Sequence, residues 1–101
     1  MPNKKEDLYR KAYDQLCAYM DEHNLRYTPE RFNILSSVCK LQRFNVDELR
    51  NSLTELLISR ATVYNTIELF EKAGIIRHIE KEYKVRAGQY ELTYLKSSSI
   101  H

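Results

Sequence analysis

The segment Ser59-Arg60-Ala61-Thr62-Val63-Tyr64-Asn65-Thr66-Ile67 holds the side chains best suited to recognising another molecule. At about 100° per residue in a helix, Val63, Ile67 and Phe70 share one face. Ala61, Tyr64, Asn65 and Glu68 then share the other, with Arg60 and Lys72 near them. Such a face can read base edges in a major groove. Ala61 permits close approach. Asn65 can pair bidentately with adenine, and Arg60 can reach guanine or a phosphate. Tyr64 can offer its ring to a thymine methyl and its hydroxyl to a phosphate. A plain solvated helix face uses the same residue types, and Tyr64 also fits as a flank of the core.

Charge placement bears on that choice. Residues 26–50 carry Arg26, Arg31, Lys40, Arg43 and Arg50 against Glu30, Asp47 and Glu48. Residues 72–86 carry Lys72, Arg77, Lys81, Lys84 and Arg86 against Glu80 and Glu82. Between them, residues 51–71 carry Arg60 alone against Glu55, Glu68 and Glu71. Positive charge thus flanks the candidate reading helix, where a duplex backbone would run. The helix start behind Thr28 can receive a phosphate, and Lys84 or Arg86 can enter a minor groove.

Capping signals define the elements that position these residues. Asn3 with Glu6 approximates a capping box. Tyr9, Tyr13, Leu16, Cys17 and Met20 give one helical stripe, predicting a helix over about 4–23. Thr28-Pro29-Glu30 opens a second helix ending near Leu41, with Phe32, Leu35, Val38 and Cys39 inward. Asn45 with Glu48 caps a third, where Phe44 and Leu49 stand at hydrophobic-staple positions. Its stripe is Val46, Leu49, Leu53 and Leu56. Ser59 caps the fourth, over 59–74, and Gly74 suits a left-handed end. The third and fourth helices are expected to join through a residue or two around Ile58. Ile75–Ile79 and Gln89–Thr93 then alternate as two strands of a hairpin. Residues 97–101 read as a linker.

The fold class is therefore mainly α with a small β-hairpin (α+β), a winged helix-turn-helix. The length of 101 residues supports one domain. Apolar residues make 43% and charged residues 30%, which excludes a disordered chain. The net charge of +2 is too small to argue for nucleic acid on its own. Apolar runs such as Leu56-Leu57-Ile58 are too short to span a bilayer, and no signal-type segment opens the chain, so a cytoplasmic protein is expected. Cys17 and Cys39 suit reduced core positions rather than a metal knuckle. Three dispersed histidines and no phosphate-cradling glycine loop argue against an enzyme.

Three segments resemble the ferric uptake regulator (Fur) family of metal-responsive repressors. They are Leu25-Arg26-Tyr27-Thr28-Pro29-Glu30-Arg31-Phe32-Asn33-Ile34-Leu35, Ser59–Ile67, and Phe70-Glu71-Lys72-Ala73-Gly74-Ile75-Ile76. The resemblance covers roughly residues 10–95, that family's DNA-binding domain. It implies dimeric repression at AT-rich palindromic operators on double-stranded DNA. It also implies base contact by Tyr64 and groove positions for Ser59 and Thr62. Asn65 stands where Arg or Asn is usual. Arg26 matches a residue that reaches the minor groove and Arg31 one that approaches the backbone, with Tyr27 and Thr28 between them.

The resemblance further implies a domain over 1–94 and, over 95–101, the start of a hinge to a dimerisation and metal-binding half. In a full-length member that half would hold Zn2+, with Fe2+ or Mn2+ as further ions. Glu91 matches a sensing-site glutamate and His101 a hinge histidine. A further family histidine falls at about Arg43, and Ser97-Ser98-Ser99 replace the usual hinge cluster. Two ligands do not close a zinc site, so no cofactor is expected in this chain alone. His23 and His78 read as surface residues. The alternative is a winged helix whose free face docks a protein; Ala61, Asn65 and Glu68 make that face poorly apolar.

Overall fold

The computed structural model describes residues 4–79 and 89–95. Four helices come first: α1 Lys4–Glu22, α2 Pro29–Leu41, α3 Val46–Ser52 and α4 Arg60–Lys72. Three short strands, β1 Arg43–Phe44, β2 Ile76–His78 and β3 Tyr90–Leu92, form one antiparallel sheet in the order β1-β3-β2. This is the expected winged helix-turn-helix. The hairpin segment 80–88, with Lys84 and Arg86, lies outside the described residues, as does the 96–101 segment with His101.

The helix ends follow the capping chemistry. Thr28 accepts from the Arg31 N–H at the start of α2, with Pro29 in the first turn. At α3 the capping box is complete: the Glu48 N–H donates to Asn45 Oδ1 at 2.7 Å and the Asn45 N–H to Glu48 Oε1 at 2.8 Å. Both α1 and α4 close in the same paired-bond motif. Asn24 takes φ 56° and Gly74 φ 80°. The Leu25 N–H then reaches the Met20 carbonyl, and the Ile75 N–H reaches that of Phe70.

The core gathers Ala12, Leu16 and Met20 of α1, Ile34, Leu35, Val38 and Cys39 of α2, and Val63, Ile67 and Phe70 of α4. Phe44, Leu49, Leu53, Ile75, Ile76 and Leu92 complete it. Truncating any of the large members to alanine typically costs about 2–5 kcal/mol.

Several details depart from the sequence reading. The α1 stripe centres on Ala12, Leu16 and Met20, while Tyr13 is exposed. In α2, Ile34 is buried and Phe32 only half-buried. The link from α3 to α4 is longer than a residue or two: α3 stops at Ser52, a 3-10 turn spans Thr54–Leu56, and Leu57 turns left-handed at φ 54°. Leu56 therefore leaves the helical stripe and is exposed. Strand β1 had no sequence signal, since two residues carry no period. It forms because Gln42, at φ 67°, turns its carbonyl toward the Leu92 N–H, 3.0 Å away.

Candidate nucleic-acid interface

Helix α4 begins at a firm cap. The Thr62 N–H donates to Ser59 Oγ at 3.1 Å, and Ser59 Oγ donates to Thr62 Oγ1 at 2.9 Å. Both predicted groove hydroxyls thus sit at the helix start and serve first to build it. Inward, Val63, Thr66, Ile67 and Phe70 are buried. Thr66 was not anticipated inside; its hydroxyl donates to the Thr62 carbonyl at 2.7 Å, which satisfies it locally. Outward, Arg60, Ala61, Asn65 and Glu68 are exposed, and Tyr64 is 50% exposed. Half of the Tyr64 surface faces solvent, which suits a partly buried flank of the core as well as a reading surface.

A second group surrounds the start of α2. Arg26 is exposed, and Arg31 is half-buried with Nη1 donating to the Arg26 carbonyl at 2.5 Å. Tyr27 packs its ring against Phe32, with centroids 5.7 Å apart. Its hydroxyl donates to Asp21 Oδ1 at 2.8 Å and, more distantly, to the Cys17 carbonyl. The bond to Asp21 raises the Tyr27 pKa. Tyr27 is therefore anchored to α1 through its hydroxyl and offers chiefly its ring to a partner. Thr28 is half-buried and spends its oxygen on the α2 cap.

Glu91, expected as a metal ligand, is instead held between two arginines. Arg43 Nε donates to Oε1 at 3.0 Å, and Arg77 Nε donates to Oε2 at 2.7 Å. Partial burial would raise its pKa, but the hydrogen bonds and charges of Arg77 and Arg43 prevail and hold it below the usual carboxylate value. Among the described residues, no three His, Cys, Asp or Glu side chains gather as a metal site. The residues around Glu91 do not fit an ion: its neighbours are permanent cations with no lone pair to offer a metal. The sequence reading missed these two partners. Their signal was opposite charge at cross-strand positions: for Arg77 it lay in the expected hairpin, and for Arg43 it is legible only once β1 is known.

A cleft of about 390 Å³ lies between α3 and α4, lined by Asp47, Arg50, Asn51, Leu53, Leu57 and Val63 among others. Asp47 lines it without a histidine, cysteine or lysine beside it as an acid–base partner. Among the described residues, no helix is long and apolar enough to cross a membrane.

Comparison with known proteins fits this geometry. No curated protein sequence matches the chain. A PerR-Zn-Zn structure from GAS superposes with a TM-score of 0.70 at 23% identity, over 80% of this chain and 53% of that one. PerR from Streptococcus pyogenes, described for peroxide sensing and gene regulation, gives 0.66 at 23%, over 80% and 56%. The Vibrio cholerae ferric uptake regulator gives 0.57 at 27%, over 81% and 61%. This chain thus spans between about half and three-fifths of the length of these proteins. The model of the ferric uptake regulator family matches residues 22–101, and with that match over most of its length the chain belongs to the ferric uptake regulator family.

Proposed function

We propose that this chain reads double-stranded DNA as part of a cytoplasmic transcription repressor that answers to metal or peroxide status. The family consists of transcription regulators rather than enzymes. The single observation that carries the reading is the solvent-facing row Ala61, Tyr64 and Asn65 on α4, backed by buried Val63, Ile67 and Phe70. A rigid helix with a small, a planar and an amide side chain free on one side suits a major groove. Arg60 meets guanine or a phosphate, Arg26 reaches the minor groove and Arg31 approaches the backbone, with Tyr27 and Thr28 between them. Lys84 and Arg86 reach the flanking minor groove. Residues 1–94 form the DNA-binding unit, and 95–101 lead toward a dimerisation half that carries Zn2+, with Fe2+ or Mn2+ as sensed ions. The homodimer recognises AT-rich palindromes.

The test is fluorescence anisotropy on AT-rich palindromic and GC-rich duplexes over a range of salt. Affinity should fall steeply with salt for both, with the palindrome preferred and Asn65→Ala erasing most of the preference. Equal binding to both duplexes, unchanged by Asn65→Ala, sinks the proposal. Protein docking through the same face would show instead as no salt-dependent DNA binding at all.

A further inference from the structure

Arg43, Glu91 and Arg77 stand side by side across all three strands, Arg43 and Arg77 each directly opposite Glu91. We infer that this row is a permanent internal clasp: two guanidiniums occupy the place beside Glu91 that a cation would need, so the sheet keeps its register without metal.

Three observations carry this. First, each carboxylate oxygen already has a charged donor, Arg43 Nε on Oε1 at 3.0 Å and Arg77 Nη2 on Oε2 at 2.6 Å. Second, the Glu91 side chain is 13% exposed, while those of Arg43 and Arg77 are 59% and 51% exposed. A metal ion approaching from solvent meets two fixed positive groups before it meets the carboxylate. Third, the backbone sets both arginines in register with Glu91. Arg43 follows the left-handed turn at Gln42, whose carbonyl accepts from Leu92. Arg77 lies mid-strand between the pairs Ile76–Leu92 and His78–Tyr90. Guanidinium does not lose its proton at any pH a protein survives, so neither neighbour can turn into a neutral ligand as a histidine would. On the adjacent cross-strand row, Phe44 stacks on Tyr90 at 5.6 Å and Tyr90 meets His78 edge-on at 5.1 Å. The two rows lock the same three strands, one by charge and one by ring contact. The inference stands apart from the DNA-binding proposal and survives its failure.

Thermal melting of the full chain tests it, in chelator and then in excess Zn2+ or Mn2+. Neither metal should raise the wild-type Tm more than it raises that of Glu91→Gln. Glu91→Gln should lower Tm by several degrees, as should Arg43→Gln with Arg77→Gln. All three substitutions together should cost clearly less than the two effects added. A metal-dependent rise in wild-type Tm that disappears in Glu91→Gln would overturn the inference, as would strict additivity. A metal shift of the same size in both proteins places the ion elsewhere and leaves the clasp standing.

Discussion

Gln15, in the middle of α1, donates through Nε2 to the carbonyl of Ala73, the residue that closes α4, at 2.6 Å. Its Oε1 accepts from the hydroxyl of Tyr94, just beyond β3. Burial, and the nearby Cys39, push the Tyr94 pKa up to about 12, so this donor stays protonated. One amide therefore ties the end of the candidate reading helix to the first helix and to the chain leaving the sheet. Thr93 adds to the junction by donating to the Gly74 carbonyl at 2.7 Å.

Gln15→Leu should cost about 1–3 kcal/mol in urea unfolding, because the Ala73 carbonyl and the Tyr94 hydroxyl are left in a partly buried site. Gly74→Ala should cost a further, separate amount of about 1–2 kcal/mol. Its φ is 80°, and a Cβ there would lie 3.0 Å from Gln15 Nε2. Unchanged unfolding midpoints in both variants would refute the junction.

Asn45→Ala should destabilise by about 1 kcal/mol, since it removes one half of the α3 capping box. Glu48→Ala should cost less, and the two together less than their sum. Chemical denaturation with a double-mutant cycle measures this.

Asn65→Ala and Tyr64→Ala should leave stability within about 0.5 kcal/mol of wild type, because both side chains face solvent. Each should remove about 1–3 kcal/mol of binding to the preferred duplex. Paired melting and anisotropy measurements separate the two effects; a large loss of stability would mean the row is structural.

Burial pushes the Cys39 thiol up to about 11, from an ordinary value of 9.0. A raised folded pKa means that the native state keeps its proton where the unfolded chain has lost it. The associated stability is complete below about pH 9 and is lost as pH rises toward 11. Stability measured across that interval should decline, and Cys39→Ala, though less stable overall, should decline less.

Leu57 is 92% exposed and sits at φ 54°, a left-handed conformation costly for a leucine. With no burial to offset that cost, Leu57→Asn should raise stability by up to about 1 kcal/mol in denaturant unfolding. A loss instead would show that Leu57 packs on something in solution.

The sequence alone carried most of the helix ends and faces. Thr28-Pro29, the Asn45/Glu48 box, Ser59 and Gly74 set the ends of the helices, because caps and left-handed turns depend on neighbours within a few residues. The 3.6-residue period separated Val63, Ile67 and Phe70 from Ala61, Tyr64 and Asn65 for the same reason. Tertiary structure decided the rest. Strand β1 exists only because β3 offers it an edge, so Arg43 could not be seen beside Glu91, 48 positions away. Nothing near Gln15 in the sequence marks its role, because its partners Ala73 and Tyr94 reach it only through folding. The fate of Glu91, a ligand by type and a clasp by surroundings, turned on charges that meet only after the strands align.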